Sequence, residues 1–141
     1  MKTERADDFA VANIDGASKG NPGKSAIGVV ITGADGKVIS RIKKFIGTKT
    51  NNQAEYTALI TALRAAANLG KTRLSVKTDS LLLANQMNGL WKVKHPDIAV
   101  LFKEAKEAEK LLKEVSISHV RREKNTIADG LANEAIIKYS W

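Results

Sequence analysis

FAVANIDGASKGNPG, residues 9–23, begins as an apolar run and meets an acid, Asp15, at the point where that run stops. Glycines and a proline follow at once, a composition typical of an open loop. The stretch therefore predicts a buried strand from Phe9 to Asp15, followed by a loop over 16–25 with a tight turn at 21–23. Taken alone, the Asp15-Gly16 pair is better explained as an ordinary turn.

Two more strands follow the opening stretch. The apolar run AIGVVIT predicts a second strand over Ala26–Thr32, and residues 33–36 (GADG) predict a hairpin turn after it. A third strand is predicted over Val38–Ile46, and the polar residues 48–52 read as a loop. Because the connections are short, the three strands should form an antiparallel meander.

The rest of the chain alternates helical and strand patterns. Apolar spacing and end signals predict helices over 53–69, 80–87, 96–113 and 126–139, and strands over 74–78 and 115–120. A strand, a helix and a strand in this order require a crossover, so the fourth strand should run parallel to one of the first three. The predicted fold class is α/β, with a five-stranded mixed sheet (three antiparallel strands, then two parallel) flanked by helices.

Length and composition indicate one domain over residues 1–141, with residues 1–8 expected to be a flexible N-terminal segment that leaves no room for a further binding domain. The chain has no cysteine, which excludes disulfides and thiolate zinc sites and fits a reducing compartment. The polar N-terminus is not a secretory signal, and no apolar run is long enough to span a membrane. We therefore expect a cytoplasmic protein, monomeric and without a membrane partner.

The charge balance points to a polyanionic partner. Lysine and arginine exceed the acids and give a formal net charge of +8. Nucleic acid is the commonest such partner of a soluble basic domain, although a merely solvated basic surface would have the same composition.

Four acids stand at comparable places, each at the end of a predicted element. Asp15 and Asp79 end the first and fourth strands, whereas Glu55 and Asp129 lie in the first turns of two helices. If the first and fourth strands are parallel neighbours, Asp15 and Asp79 emerge side by side, where open α/β sheets place their sites. Four converging carboxylates repel one another unless cations are present, and oxygen ligands of this kind suit Mg²⁺ or Mn²⁺.

Each acid also has a structural explanation of its own. Glu55 fits a capping box with Asn52 as the N-cap residue, and Asp79 could cap the helix that follows it. Asp129 suits the positive end of a helix dipole. Taken one at a time, these explanations are the better ones, and it is the set of four that favours a site.

The motifs around these acids resemble those of type 1 ribonuclease H. They are Asp15-Gly16-Ala17-Ser18-x-Gly20-Asn21-Pro22-Gly23, Thr50-Asn51-Asn52-x-x-Glu55, Thr78-Asp79-Ser80 and Asn125-x-x-Ala128-Asp129-x-Leu131-Ala132. Their order, spacing and flanking residues all agree, over residues 9–137. The resemblance implies an endoribonuclease that cuts the RNA strand of an RNA/DNA hybrid with two Mg²⁺ ions, Mn²⁺ being a possible substitute, and leaves a 5′-phosphate and a 3′-hydroxyl.

The resemblance also implies roles for individual residues. Asp15, Glu55, Asp79 and Asp129 would hold the metals, with Asp15 bridging both and Glu55 near the ribose. Residues expected to contact the hybrid are Gly16, Asn21, Thr50, Asn51, Asn52, Trp91, Lys92, Lys94, Arg121 and Arg122. For the asparagines the alternative is ordinary turn and capping roles, and for Trp91 it is closure of a small core.

Two features depart from the family pattern. Many members carry a basic helical protrusion where this chain has only the loop 88–95, so hybrid affinity should be weaker or depend on a partner. Many also carry a histidine on a mobile loop before the last acid. Here His119 falls at the end of a predicted strand, and we expect it to point away from the carboxylates while Arg121 or Arg122 points towards them.

Other classes of protein share the acid cluster. A transposase, an integrase or a junction-resolving nuclease has the same kind of fold and site, but the Asn-Pro-Gly loop and the Thr50-Asn51-Asn52-x-x-Glu55 motif argue against those classes. A non-catalytic nucleic-acid-binding relative is a second alternative, since a fold can outlive its chemistry. The complete set of four acids argues against it.

Overall fold

In the computed structural model, which describes residues 6–139, five strands form one mixed sheet in the order β3-β2-β1-β4-β5. The strands are β1 (Phe9–Gly20), β2 (Gly23–Gly33), β3 (Val38–Lys49), β4 (Arg73–Thr78) and β5 (Glu114–His119). β1 pairs with β2, and β2 with β3, in antiparallel fashion, whereas β4 runs parallel to both β1 and β5. The predicted mixed sheet and its parallel fourth strand are confirmed.

Four helices flank the sheet. They are α1 (Asn51–Asn68), α2 (Leu81–Met87), α3 (Pro96–Glu109) and α4 (Thr126–Tyr139). Short 3-10 turns occupy Ala6–Asp8 and Arg122–Lys124. Residues 6–8 of the segment expected to be flexible form the first of these turns, and residues 1–5 lie outside the described part.

The first hairpin is longer than the sequence predicted. Residues 16–25 were expected to form a loop, but β1 and β2 stay paired from Ala10↔Gly33 to Gly20↔Gly23, and only the turn at 21–22 lies outside the ladder. The Asn21–Pro22 peptide in that turn is cis. The hydrogen-bonded ladder overrides the loop-like composition of this stretch, so the sheet extends past Asp15.

The helices cover the two faces of the sheet. Alternate residues of β1, among them Ala12 and Ile14, are fully buried in the main core with α1 and its neighbour α3. On the other face α4 packs across β1 and β2, where Ala135 and Ile136 meet Ala26. None of the helices described over 6–139 has both the length and the apolar character needed to cross a membrane.

Other predicted boundaries were also wrong. β3 continues to Lys49 instead of ending at Ile46, so residues 48 and 49 belong to the strand and not to a loop. α1 begins at Asn51 rather than at residue 53, and α3 ends at Glu109 rather than near residue 113. The connection between β5 and α4, for which no element was predicted, contains the 3-10 turn Arg122–Lys124.

Candidate active site

Asp15 is the central acid of the site. It lies on β1, the middle strand of the sheet, opposite Gly28 of β2 and directly after Ile14, which pairs with Thr78 of β4. Only 4% of its surface is exposed. Two flanking strands therefore fix the backbone of Asp15, and the carboxylate is held in a position largely removed from water.

Glu55 approaches Asp15 from the first turns of α1. Its Oε1 accepts a hydrogen bond of 3.1 Å from the backbone N–H of Gly16. A Cβ atom on Gly16 would lie 2.4 Å from the backbone of Ala54 and Glu55, so a residue without a side chain is needed for α1 to come this close. The glycine after Asp15 thus seats the second acid beside the first.

The capping of α1 leaves Glu55 free for this contact. Thr50 is the N-cap residue: its hydroxyl accepts from Gln53 N at 3.2 Å, and the Gln53 side chain accepts from Thr50 N at 2.9 Å. The alternative explanation of Glu55, a capping box built on Asn52, is therefore wrong. Glu55 is buried at 8% exposure, and its Oε2 has no hydrogen-bond partner.

Asp79 stands just past the end of β4. The N-cap of α2 is Ser80, whose hydroxyl accepts from Leu83 N at 3.1 Å, so the alternative role of Asp79 as the cap is wrong. Thr78 Oγ1 accepts from the Ser80 N–H at 3.0 Å and fixes the turn in which Asp79 lies. The half-buried carboxylate is thus not engaged in capping and faces the same cavity as Asp15.

Asp129 reaches the site from the other face of the sheet, in the first turn of α4. Its backbone N–H donates to the carbonyl of Asn125 at 3.1 Å. Its carboxylate oxygen Oδ1 lies 3.6 Å from Arg122 Nη2 and has no hydrogen-bond partner. All four acids predicted from the sequence therefore line one cavity of about 450 Å³, together with residues that include Arg122 and Asn51.

The cluster raises the pKa values of its two most buried members. Burial, followed by the charge of Glu55, contact with Asp129 and the charge of Asp79, raises the pKa of Asp15 to about 10. Burial is also the largest cause that raises the pKa of Glu55, to about 7, although the Asp15 contact and the Gly16 N–H oppose it. In the absence of cations the site therefore favours the protonated carboxyl groups.

These side chains fit divalent cations with oxygen ligands. Asp15, Glu55 and Asp79 each offer a carboxylate oxygen, and the three oxygens lie within 4.8 Å of one another. Glu55 Oε2 and Asp129 Oδ1 are buried without hydrogen-bond partners, as expected of atoms that would coordinate a bound cation. Hard oxygen donors without nitrogen or sulfur favour Mg²⁺ or Mn²⁺.

The asparagines predicted to contact substrate lie beside the carboxylates. Asn21 Oδ1 accepts a hydrogen bond of 3.0 Å from Asn51 N, which joins the β1–β2 turn to the first residue of α1. Asn21, Thr50 and Asn52 also line a neighbouring pocket of about 230 Å³, whose other residues include His95 and Asp97. The hairpin turn and the two helix starts thus form one surface.

The loop 88–95 carries the other predicted contacts. Trp91 is 47% exposed, so its alternative role in closing a small core does not hold. Lys92 and Lys94 are exposed as well. The buried chain Tyr56 Oη to Gln86 Oε1 (2.7 Å) and Gln86 Nε2 to Lys92 O (3.5 Å) ties this loop to α1 beside Glu55.

The basic residues at and after the end of β5 differ in whether they line the carboxylate cavity. Arg122 lines the carboxylate cavity, as expected of one of the two arginines, whereas Arg121 is exposed and is not among the described residues of its lining. His119 is the last residue of β5, exposed, paired with Thr78 and likewise absent from that lining.

Sequence reasoning missed some residues that shape the cavity. Ser18 and Asn133 line it, and Asn133 Nδ2 donates to the carbonyl of Asp129 at 3.0 Å. Asn133 lies four residues after Asp129, one turn further along the same helix face, and this spacing was the signal that could have found it. Ser18 was not predicted to line the cavity because residues 16–25 were predicted to be a loop and not part of the strand ladder.

Comparison with known proteins agrees with this geometry. A family described as "Reverse transcriptase-like" matches residues 13–135. "Ribonuclease HI" of Halobacterium salinarum is 44% identical over 125 residues, which are 89% of this chain and 63% of that protein. The chain spans a smaller share, 35%, of the mycobacterial relatives that it matches at 43% identity.

Two solved structures match this chain over nearly their whole length. The crystal structure of RNase H1 from Halobacterium salinarum superposes with a TM-score of 0.90 at 42% identity, covering 92% of this chain and 98% of that one. LC11-RNase H1, isolated from compost and solved in complex with RNA/DNA hybrid, superposes with a TM-score of 0.89 at 37% identity, covering 94% and 99%.

Proposed function

Since this chain belongs to the type 1 ribonuclease H family, we propose that it is an endoribonuclease that hydrolyses the RNA strand of RNA/DNA hybrids. The observation that carries the proposal is the group of Asp15, Glu55 and Asp79, whose carboxylate oxygens lie within 4.8 Å of one another. A net charge of +8 and the hybrid complex of a relative with 37% identity support the choice of substrate. Hydrolysis of the bond between phosphorus and O3′ would leave 5′-phosphate and 3′-hydroxyl ends.

We assign two Mg²⁺ ions to the four carboxylates, with Mn²⁺ as a possible substitute. Asp15 would be the central ligand because, of the four acids, it has the smallest exposed fraction and lies on the middle strand of the sheet. Asp79 would be supplied from the end of β4 and Asp129 from the first turn of α4, and Glu55 would contribute its unpartnered Oε2. When bound, such ions supply an activated water and stabilise charge on the departing oxygen.

The chain itself contributes rigidity. Asp15 is fixed by paired strands, and the Gly16 N–H holds one oxygen of Glu55. The side chain of Glu55 is therefore already ordered before the reaction, so no further conformational entropy is lost when its other oxygen binds a ligand. Arg122 lies beside Asp129, where its guanidinium group can hold a non-bridging phosphate oxygen or aid product release.

The asparagine surface is suited to reading a hybrid. Asn21 Oδ1 is already occupied by Asn51 N, so its Nδ2 group is left to donate to acceptors in the minor groove or to the ribose. The 2′-hydroxyl marks the RNA strand in such contacts. Thr50 Oγ1 accepts from Gln53 N, which leaves its O–H to donate to a phosphate of the DNA strand.

We propose that the protein acts as a cytoplasmic monomer. The edge strand β3 carries the exposed residues Arg41, Lys43 and Lys44, and charges of this kind discourage strand pairing between chains. The lack of cysteine is in keeping with a reducing compartment.

The decisive experiment is cleavage of an end-labelled RNA strand in a hybrid, compared with single-stranded RNA, double-stranded RNA and DNA, with Mg²⁺ and with EDTA. We expect cleavage of the RNA strand of the hybrid with Mg²⁺ and not with EDTA. Analysis of the new RNA ends should give a 5′-phosphate. Asp79→Asn serves as the control for a contaminating nuclease. Cleavage of DNA in preference to the hybrid, or equal cleavage in EDTA, would refute the proposal.

A further inference from the structure

Helix α4 lies unusually close to the sheet at Gly28. A Cβ atom at this position would be 2.0 Å from the carbonyl oxygen of Ala128 and 2.9 Å from the nitrogen of Ala132. Both atoms belong to the helix backbone, so no side-chain movement could relieve the clash. Gly28 has no positive φ, which means that its missing side chain, and not its backbone freedom, is what the structure uses.

This close contact lies at the level of the carboxylates. Gly28 is paired with Asp15 on the neighbouring strand, and Ala128 directly precedes Asp129. Paired residues of neighbouring strands point to the same face of the sheet. The side of Gly28 that would carry a Cβ atom and the side chain of Asp15 therefore both lie on the face that α4 covers. Any outward movement of α4 at this point would carry Asp129 away from Asp15.

A second observation fixes the same turn of α4. Asn125 is 1% exposed, and its Nδ2 donates a hydrogen bond of 2.7 Å to the carbonyl of Ile14, the residue before Asp15. Its Oδ1 accepts from Asn13 Nδ2 at 3.1 Å, and its own carbonyl accepts from Asp129 N at 3.1 Å. One buried side chain thus ties the strand that carries Asp15 to the turn that carries Asp129.

We propose that Gly28 and Asn125 are positioning residues that set the distance between Asp129 and Asp15: Gly28 permits the approach of α4, and Asn125 holds it there. The inference rests on the proposed function only in that Asp129 is a metal ligand. Neither residue contacts the reacting groups. Both act through the place they give to one carboxylate. Gly28 stands in none of the quoted motifs, and Asn125, which opens the fourth motif, was given no role there.

The chain offers a matched control for each residue. Gly130 also lies in α4, next to Asp129, but a Cβ atom there would meet nothing within 4 Å. Asn88 Nδ2 also donates to a strand carbonyl, that of Ile117 at 2.8 Å, on a strand that carries none of the four acids. Gly130→Ala and Asn88→Ala therefore reproduce the chemical change without the change in position.

The test compares Gly28→Ala and Asn125→Ala with these controls. Binding of Mn²⁺ to the protein without substrate is measured by calorimetry, and kcat and KM are measured on a hybrid well below each variant's melting temperature. We expect Mn²⁺ affinity to fall at least tenfold and kcat about 100-fold, with KM within twofold of the parent. Gly130→Ala should match the parent in all three quantities, and Asn88→Ala, which lies in the predicted hybrid-binding loop 88–95, should match it in Mn²⁺ affinity.

Three results would overturn the inference. The first is a folded Gly28→Ala or Asn125→Ala that keeps its Mn²⁺ affinity and kcat. The second is an equal loss in the control variants. The third is failure of both Gly28→Ala and Asn125→Ala to fold, because these residues would then hold the domain together rather than place one side chain. If the parent does not cut the hybrid, the proposed function fails, whereas the Mn²⁺ comparison still decides the positioning.

Discussion

Gly16 and Glu55 are joined by a hydrogen bond of 3.1 Å from the backbone N–H of the glycine to Oε1 of the acid. The residue that follows the central acid on β1 therefore holds the second acid directly. The other oxygen of Glu55 is buried without a partner. One half of this carboxylate is thus structural, and the other half is available to a ligand.

This division predicts what Glu55→Gln will do. The amide oxygen can still accept from the Gly16 N–H, so the fold should be kept, but one negative ligand is lost. We expect cleavage of the hybrid to fall by more than the roughly 10–100-fold typical of changes around a metal's outer partners. The melting temperature in EDTA should hold or rise, because one repulsive charge is removed from the cluster.

Asp79→Asn should behave in the same way, since its half-buried carboxylate plays no part in capping. Asp15→Asn should also nearly abolish cleavage. Single-turnover cleavage and thermal unfolding in EDTA, measured on the same preparations, check all three variants. Near-parental cleavage by Asp79→Asn would remove it from the metal set.

The raised pKa values predict how stability without metal depends on pH. Asp15, with its pKa raised from 3.8 to about 10, and Glu55, raised from 4.5 to about 7, hold protons in the folded state that the unfolded chain has already released. The folded state then binds more protons, so the free energy of unfolding must fall as pH rises. Three pH units at about 1.4 kcal/mol for each proton give a decrease of roughly 4 kcal/mol from pH 5 to pH 8 for Asp15 alone, measured by urea unfolding in EDTA.

Two controls separate this effect from other titrations. Asp15→Asn should flatten the decrease, because the group with the largest shift is gone. Excess Mg²⁺ should stabilise the parent more at pH 8 than at pH 5, since the metal binds the deprotonated carboxylates. Stability in EDTA that is equal in the parent at both pH values would contradict the assignment of buried, protonated carboxyl groups.

The order of elements and the place of the acids could be predicted from the sequence because they rest on local patterns. Apolar runs that end in Asp15 and Asp79 mark strands, and a strand-helix-strand order forces β4 to run parallel to a neighbour. Residues 16–20 were predicted wrongly because their pairing with 23–27 is a property of two strands together, which composition does not record.

The finer details of the site depend on choices between chemically similar residues. Thr50 and Asn52 are both good N-cap residues, and only the structure shows that Gln53, not Glu55, completes the capping box. Gly28 lies inside an apolar strand and has no local signal at all, because the atoms that require it belong to a helix about 100 residues later.

The loop 88–95 leads to a prediction about salt. It is tied to α1 through Gln86, and its last residue, His95, lines the same pocket as Asn21 and Thr50. Hybrid affinity should fall by roughly 0.7–0.9 log units per log unit of salt for each phosphate neutralised. The double variant Lys92→Ala/Lys94→Ala should lower this slope by about 1–2 without changing which strand is cut.

A charge-matched control is Lys37→Ala/Lys110→Ala. These lysines lie after the end of β2 and after the end of α3, on the side of the sheet where β1 begins rather than where Asp15 lies. Fluorescence anisotropy of a labelled hybrid over a salt series in Ca²⁺ measures both slopes. An equal slope in the two double variants would remove the loop from the binding surface.

His119 and Arg122 stand in contrast at the edge of the site. His119 ends β5, exposed and paired with Thr78, and it is held there by the strand. Its backbone is therefore fixed in the sheet, and it does not lie on a loop that could carry it to the metals and back in each turnover. Arg122 Nη2 lies 3.6 Å from Asp129 Oδ1, on a short turn that faces the cavity.

We therefore predict that His119→Ala lowers the cleavage rate only several-fold, well below the roughly 10²–10⁴-fold that a proton-transferring residue contributes. Arg122→Ala should lower kcat by about 10–100-fold, and Arg122→Lys should recover part of it, because the charge returns without the planar fork. Arg121→Ala, one residue away and outside the described lining of the cavity, is the matched control.

Burst and steady-state phases of hybrid cleavage distinguish slow chemistry from slow release, and the steady-state phase alone should slow if Arg122 assists release. A thousandfold loss in His119→Ala with Mn²⁺ affinity intact would restore the histidine to the reaction, and a parental rate in Arg122→Ala would exclude the arginine from it.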